Sequence, residues 1–297
     1  MQTPEIIEAA LKRLTDEYIF PDKGALAAEA VTAALAAGEF DDLDGPALCT
    51  RVTEIFFKHC ADKHLRLMWN DEPMDLDEQD KEDTDAMFAA LMLKENYGIR
   101  RVERLEGNVG YLDLTLVPDA AAGAPAIAAA MELIVNTEAL IIDLRANRGG
   151  APNGVQLWCS YLFPNDETHL NDVYSRVEDI TRQYWTLAHV NGRRYLDRPV
   201  YVLTSAMTFS GAEELAYNLK TQQRATLIGE TTRGGAHPTE WYPLTPRIAV
   251  TVPNARSINP ITGTNWEGTG VEPDIAASAA EAFDIAYRDA REKIARD

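Results

Sequence analysis

Three apolar runs with almost no polar interruption, Ala139-Leu140-Ile141-Ile142-Asp143-Leu144, Val200-Tyr201-Val202-Leu203-Thr204 and Thr226-Leu227-Ile228, do most to limit how this chain can fold. A strand with one face in water alternates apolar and polar residues. A strand covered on both faces reads instead as a continuous apolar run, the pattern of a parallel sheet flanked by helices. Helical signals lie between the runs: an alanine-rich stretch near Ala126 to Val135, a helix beginning near Asn153, and another from about Gly211 to Lys220. Strand and helix in alternation predict an α/β layered fold with a mainly parallel sheet. Ile99 to Glu106 and Val109 to Val117 extend the strand pattern upstream, Ile248 to Val252 alternates like a further strand, and Ala279 to Ala290 predicts a closing helix.

Before residue 60 the pattern is helical throughout. Thr3-Pro4-Glu5 has the form of a helix start, with Ile6, Ala10, Leu11 and Leu14 on one face. Asp22 is placed to cap an alanine-rich second helix running to about Ala37. Gly45-Pro46 opens a third that carries Leu48, Val52, Ile55 and Phe56. Asn70 to Asp85 is too charged to bury and predicts a solvated linker or flap, ahead of a short helix around Ala86 to Leu93. The expected division is therefore an N-terminal helical bundle over 1–68, an acidic linker and short helix over 69–98, and an α/β domain over 99–297.

With 28 basic and 47 acidic residues among 297, the net charge is −19, a field that repels nucleic-acid phosphates and anionic lipid headgroups. Cys49, Cys60 and Cys159 form no CxxC pair and no metal-ligand spacing, so neither a disulfide framework nor a zinc site is implied. No apolar run reaches the length of a membrane span. As written the chain reads as cytoplasmic, and one with a trimmed signal peptide would look the same.

In open α/β sheets the working groups gather where strands end. Two segments follow buried runs. Leu144-Arg145-Ala146-Asn147-Arg148-Gly149-Gly150 brings paired glycines to a strand-to-helix turn, which frees backbone N–H groups to face a ligand, or simply makes the turn. Thr204-Ser205-Ala206-Met207-Thr208-Phe209-Ser210-Gly211-Ala212-Glu213-Glu214 puts Ser210 at the mouth of a helix, where developing negative charge is stabilised. Ser210 and Glu213 also spell a capping box, a purely structural alternative.

Together these segments resemble the core of the tail-specific proteases, peptidase family S41, which includes C-terminal processing proteases, the tricorn core protease and the interphotoreceptor retinoid-binding modules. The resemblance runs over about residues 100 to 277. It rests on Asn108-Val109-Gly110-Tyr111-Leu112, Leu140 to Arg145 with Gly149-Gly150, Thr204-Ser205 through Glu214, Ile228-Gly229-Glu230-Thr231, and Gly268-Thr269-Gly270-Val271-Glu272-Pro273-Asp274, in the family's order. It implies a ClpP/crotonase-like layered fold and a serine peptidase acting on peptides or unfolded proteins through an acyl-enzyme. The segment before it is similar to the N-terminal cap of the retinoid-binding modules, and no segment reads as a PDZ domain.

The resemblance makes Ser210 the nucleophile. Processing proteases place a lysine shortly after the Gly-Glu motif, but Gly229-Glu230 is followed here by Thr231 to His237. The only later lysines than Ser210 are Lys220 and Lys293, neither at that place. The tricorn-like branch, with a histidine and a glutamate, is the closer likeness. Asp62-Lys63-His64 matches its Asp-x-His segment and Glu267, before Gly268, its acid; Lys63 stands where that branch has a serine. His59, Cys60 and His237 are rivals to His64. The same mapping gives an oxyanion hole from Gly211 and one N–H of Gly149 or Gly150, worth about 3 kcal/mol per donor in the transition state. No metal or organic cofactor is needed, and the oligomeric state is left open. Two other readings use the same residues: a non-catalytic module for a retinoid, fatty acid or other apolar ligand, and an esterase or acyl transferase.

Overall fold

The computed structural model describes residues 1–74, 90 and 92–296. The chain divides into two compact units, Met1–Asp83 with Val173–Arg182 and His237–Ser257, and Thr84–Asp172 with Gln183–Ala236 and Ile258–Asp297. The segments 173–182 and 237–257, expected in the α/β domain, are thus counted with the N-terminal helices. The acidic stretch from residue 75 onward and most of the helix expected around 86–93 lie outside the described residues.

In the first unit, helices Thr3–Glu17, Pro21–Ala36 and Gly45–Cys60 precede an antiparallel sheet in which Arg66–Trp69 and Thr239–Pro243 flank Ile248–Pro253. Ile7, Leu14, Val31 and Phe56 from the helices meet Leu67, Val250 and Val252 from the sheet in one core, which accounts for the helical faces read from the sequence. The caps differ in detail. Gln2 rather than Thr3 is the first N-cap, and the second helix begins at Pro21 behind Phe20 instead of behind Asp22. Asp44 caps the third helix by accepting from the N–H of Ala47 at 2.9 Å. That helix ends on Ala61 at φ 54°, a left-handed turn that swings the chain into Asp62 and His64.

The second unit holds a six-stranded sheet ordered Ile275–Ala276, Thr226–Gly229, Val200–Thr204, Ala139–Asp143, Val109–Leu114, Ile99–Leu105. All neighbours are parallel except the last pair, which is a hairpin. Side chains alternate between two apolar layers. Leu112, Leu140, Ile142, Val200, Val202 and Leu227 pack on one face with Ile127, Met131, Leu215 and Leu219 of the crossover helices Ala120–Ile134 and Gly211–Thr221. Tyr111, Ile141, Tyr201, Leu203 and Ile228 face the closing helix, Ala282–Ile294, whose Ala282, Ala286 and Ala290 at four-residue spacing let it approach closely. Burial on both faces is the reason these strands read as unbroken apolar runs. No helix among the described residues is long and apolar enough to cross a membrane.

Strands at His169–Ser175, Ile180–Trp185 and Ala255–Ile258 form a further three-stranded sheet that the sequence did not signal. Ile180–Trp185 is an edge strand exposed along nearly its whole length, so no alternation marks it.

Candidate active site

Three of the parallel strands end level: Asp143 pairs with Leu203, and Thr204 with Gly229. The loops that follow therefore emerge at one edge of the second unit. Side-chain hydroxyls fasten the first two together. Ser205 Oγ donates to the carbonyl of Arg145 at 2.6 Å, Thr208 Oγ1 to that of Leu144 at 2.8 Å, and the N–H of Phe209 to the carbonyl of Asn147 at 3.1 Å. Asp143 anchors the base of this edge by accepting from Arg145 Nε at 2.9 Å and Tyr111 OH at 2.7 Å. Burial pushes its carboxyl up, but Arg145 and Tyr111 outweigh that and hold it below the usual range.

Ser210 is the half-buried N-cap of the Gly211–Thr221 helix, at φ 55° and ψ −126°. A non-glycine residue there costs about 1–3 kcal/mol, and a sharp strand-to-helix turn of this kind is how a nucleophile is lifted clear of its own backbone. Gly149 and Gly150 lie directly against it. A Cβ on Gly149, itself at φ 101°, would sit 2.7 Å from Ser210 Cβ and 2.8 Å from the nitrogen of Gly211; a Cβ on Gly211 would sit 2.7 Å from the carbonyl oxygen of Gly150. The structure thus brings Ser210, Gly211, Gly149 and Gly150 together. It also separates the two turn glycines. The N–H of Gly149 is spent on Asn147 Oδ1 at 2.8 Å, while Asn147 Nδ2 donates to the carbonyl of Leu114 at 3.0 Å.

Asn147 was not singled out from the sequence, yet it is fully buried and shapes the glycine turn. Replacing it with alanine leaves a buried N–H and C=O unmet and is expected to cost about 2–3 kcal/mol, read from the denaturation midpoint. The loosened turn is also expected to slow reaction of Ser210 with a fluorophosphonate about tenfold.

Glu213, one turn into the helix, is fully buried. Its Oε2 accepts from the N–H groups of Ser210 at 2.8 Å and Gly235 at 2.9 Å, and its Oε1 from Thr232 Oγ1 at 2.5 Å and the N–H of Gly234 at 2.6 Å. Burial raises its pKa, and the four donors work against that rise. The Ser210–Glu213 spacing does form a capping box, with both halves present, but the same carboxylate also holds the next loop. Beyond it, the N–H of Ala236 donates to Glu267 Oε2 at 2.5 Å, and Trp266 Nε1 donates to the carbonyl of Gly235 at 2.8 Å. The half-buried Glu267 is thereby fixed to the 234–236 segment by its own carboxylate and by its buried neighbour. The two later lysines are engaged elsewhere in this unit, Lys220 with the carbonyl of Glu272 at 2.5 Å and Lys293 with Asp289 at 3.0 Å.

His64 belongs to the first unit and is half-buried. Its N–H donates to Asp62 Oδ1 at 2.9 Å, and its carbonyl accepts from Thr251 Oγ1 at 2.6 Å, so its backbone is held from both sides. The other oxygen of Asp62, Oδ2, receives His237 Nδ1 at 2.7 Å and Tyr18 OH at 3.2 Å. Burial opposes the charge of Asp62, but His237 and the N–H of His64 outweigh it and lower the pKa. Of the rivals to His64, His237 is buried in this carboxylate pair with Phe20 edge-on at 5.3 Å. Cys60 is a buried thiol pushed up to about 11 by burial, and His59 lies on the third helix. Asp62 itself was legible only as part of a motif. Its partner His237 is 175 residues away in sequence, and nothing in the spacing could have joined them.

Solved structures of similar form include a lipoprotein from Streptococcus agalactiae (13% identity, covering 99% of this chain and 98% of that one, TM-score 0.63). A candidate peptidase from Parabacteroides merdae ATCC 43184 is alike over 99% of this chain and 97% of its own, at 17% identity and a TM-score of 0.64. The tricorn protease matches 99% of this chain but only 37% of its own length, at 13% identity and a TM-score of 0.60. At these identities the likeness is one of fold, and it agrees with the layered α/β architecture with N-terminal helices. The sequence profile of peptidase family S41 matches residues 108–277, more than half of the chain, and spans both the glycine turn and the Ser210 helix. The chain belongs to peptidase family S41 and is thereby a serine-type peptidase.

Proposed function

We propose that the chain hydrolyses peptide or unfolded-protein substrates through an acyl-enzyme on Ser210, with His64 as general base and acid and Glu267 as the carboxylate that orients it. The observation that carries this reading is the conformation of Ser210, held at positive φ on a helix mouth against a paired-glycine turn. His64 takes the hydroxyl proton as Ser210 Oγ adds to the peptide carbonyl carbon, and the resulting oxyanion is met by the N–H groups of Gly211 and Gly150. Gly150 is preferred to Gly149 because the N–H of the latter is committed to Asn147. Collapse breaks the C–N bond, and the leaving amine takes the proton from His64. Water then adds to the ester, giving its proton to His64 and from there to Ser210 Oγ.

A histidine rather than a lysine is favoured by the engagement of Lys220 and Lys293 away from Ser210. Asp62, gripping the backbone of His64, supplies the rigidity a base needs. The test is incubation with a fluorophosphonate and digestion for mass spectrometry, alongside a peptide library screened for cleavage. A single adduct on Ser210 together with peptide turnover supports the proposal. Binding of an apolar ligand with no adduct defeats it in favour of a carrier, and turnover of esters but no peptide defeats it in favour of an esterase.

A further inference from the structure

We infer that Glu213 is a positioning residue that sets the nucleophile and the orienting carboxylate in register. The inference deepens the proposed function and rests on it for the roles of Ser210 and Glu267. Ser210 cannot hold φ 55° by its own preference, and something must keep its N–H turned inward. Glu213 Oε2 does so at 2.8 Å, and the same oxygen takes the N–H of Gly235 at 2.9 Å, so one atom joins the two loops. Oε1 holds Thr232 and Gly234, and Thr232 Oγ1 accepts in turn from the N–H of Val271 at 2.7 Å, past the far end of the segment that carries Glu267. From the tied loop it is one residue to Ala236, whose N–H holds Glu267 Oε2, while the carbonyl of Gly235 holds Trp266 Nε1.

A carboxylate is the one side chain that suits this place. Two oxygens with two lone pairs each match four donors, and an amide nitrogen has no lone pair to offer. In Glu213→Gln, whichever way the amide turns, one pair of donors meets a third donor. Either Ser210 and Gly235 lose their shared acceptor, or Thr232 and Gly234 do. A capping role alone would disturb only Ser210. A tie disturbs both loops at once.

The experiment compares wild type, Glu213→Gln and Thr232→Val by three measurements: the rate of Ser210 labelling by a fluorophosphonate, kcat and KM on a cleaved peptide, and amide hydrogen exchange resolved over 208–213 and 230–236. For Glu213→Gln we expect labelling and kcat to fall about 30- to 100-fold with KM changed less than about threefold, because misplacement of about 1 Å costs rate far more than binding. Exchange is expected to rise in both segments together. Thr232→Val, which keeps the volume and removes both the donor to Glu213 and the acceptor for the N–H of Val271, is expected to lower the same rates about three- to tenfold. Labelling of Glu213→Gln within threefold of wild type overturns the inference, as does loosening confined to one segment. If Glu213→Gln does not fold, Thr232→Val decides: a reduced rate supports the tie and an unchanged one overturns it. Wild type that never labels at Ser210 sinks the proposed function instead, and the exchange measurement still tests the tie.

Discussion

Ser210→Ala is expected to abolish fluorophosphonate labelling and to lower kcat on a peptide substrate roughly 10⁵- to 10⁶-fold, the loss seen when a serine nucleophile is removed from an intact oxyanion hole. The fold should persist, because the N–H of Ser210 and the carbonyl of Asn147 keep the backbone bonds of the turn, while loss of the hydroxyl's half of the capping box costs about 0.5–2 kcal/mol. His64→Ala is expected to cost nearly as much. On the proposed mechanism base and nucleophile act as a unit, so the double variant should lose little more than either single one. Single-turnover assays of the three proteins check this. Losses that multiply in the double variant would mean that His64 serves some step other than activating Ser210, and residual labelling in Ser210→Ala would move the nucleophile elsewhere.

The second large effect lies next door and concerns stability. Glu214 is buried and has Asn171 and Asn218 as side-chain partners, with no cation among them. Its Oε1 finds no hydrogen-bond partner among the described residues. Burial pushes its pKa up to about 8 from an ordinary 4.5. The folded chain therefore holds a proton that the unfolded chain releases across the window from 4.5 to about 8. Stability from this group is complete below pH 4.5, declines as pH rises through the window, and is gone above about 8. The difference is on the order of 3–5 kcal/mol. Glu214→Gln, which cannot ionise, should flatten the decline and leave the variant more stable than wild type at pH 8 by a few kcal/mol, with little difference at pH 4.5. Urea denaturation at both pH values measures it, and equal slopes of stability against pH in the two proteins would refute the assignment.

How much of this could be read in advance follows from where each residue finds its partners. The central sheet was legible because Leu140 to Ile142 and Val200 to Leu203 are covered on both faces, and burial writes itself into sequence as an unbroken apolar run. Thr239–Pro243 and Ile180–Trp185 were not, because strands that face water carry no such mark. The segment Ile248–Pro253 was recognised as a strand, but its pairing with Arg66–Trp69, some 180 residues upstream, was not, since registers between distant strands leave no local trace. In the site, Ser210, Gly211 and the Gly149-Gly150 turn were visible as a motif. The carboxylates and amides that hold them were visible only in part. Glu213 advertised its bond to Ser210 by spacing, whereas its bonds to Thr232, Gly234 and Gly235 are made to backbone and hydroxyl groups that have no periodicity. Asn147 and His237 act through buried contacts to groups that leave no local pattern, and they sit in stretches that any turn could supply.

The backward twist of residue 210 also restricts the element of chemistry that can occupy it. Threonine offers the same alcohol on a branched β-carbon, and a branched side chain at positive φ is crowded by its own peptide groups. The choice of a primary over a secondary alcohol at this position is thus made by torsion angles, before reactivity enters at all.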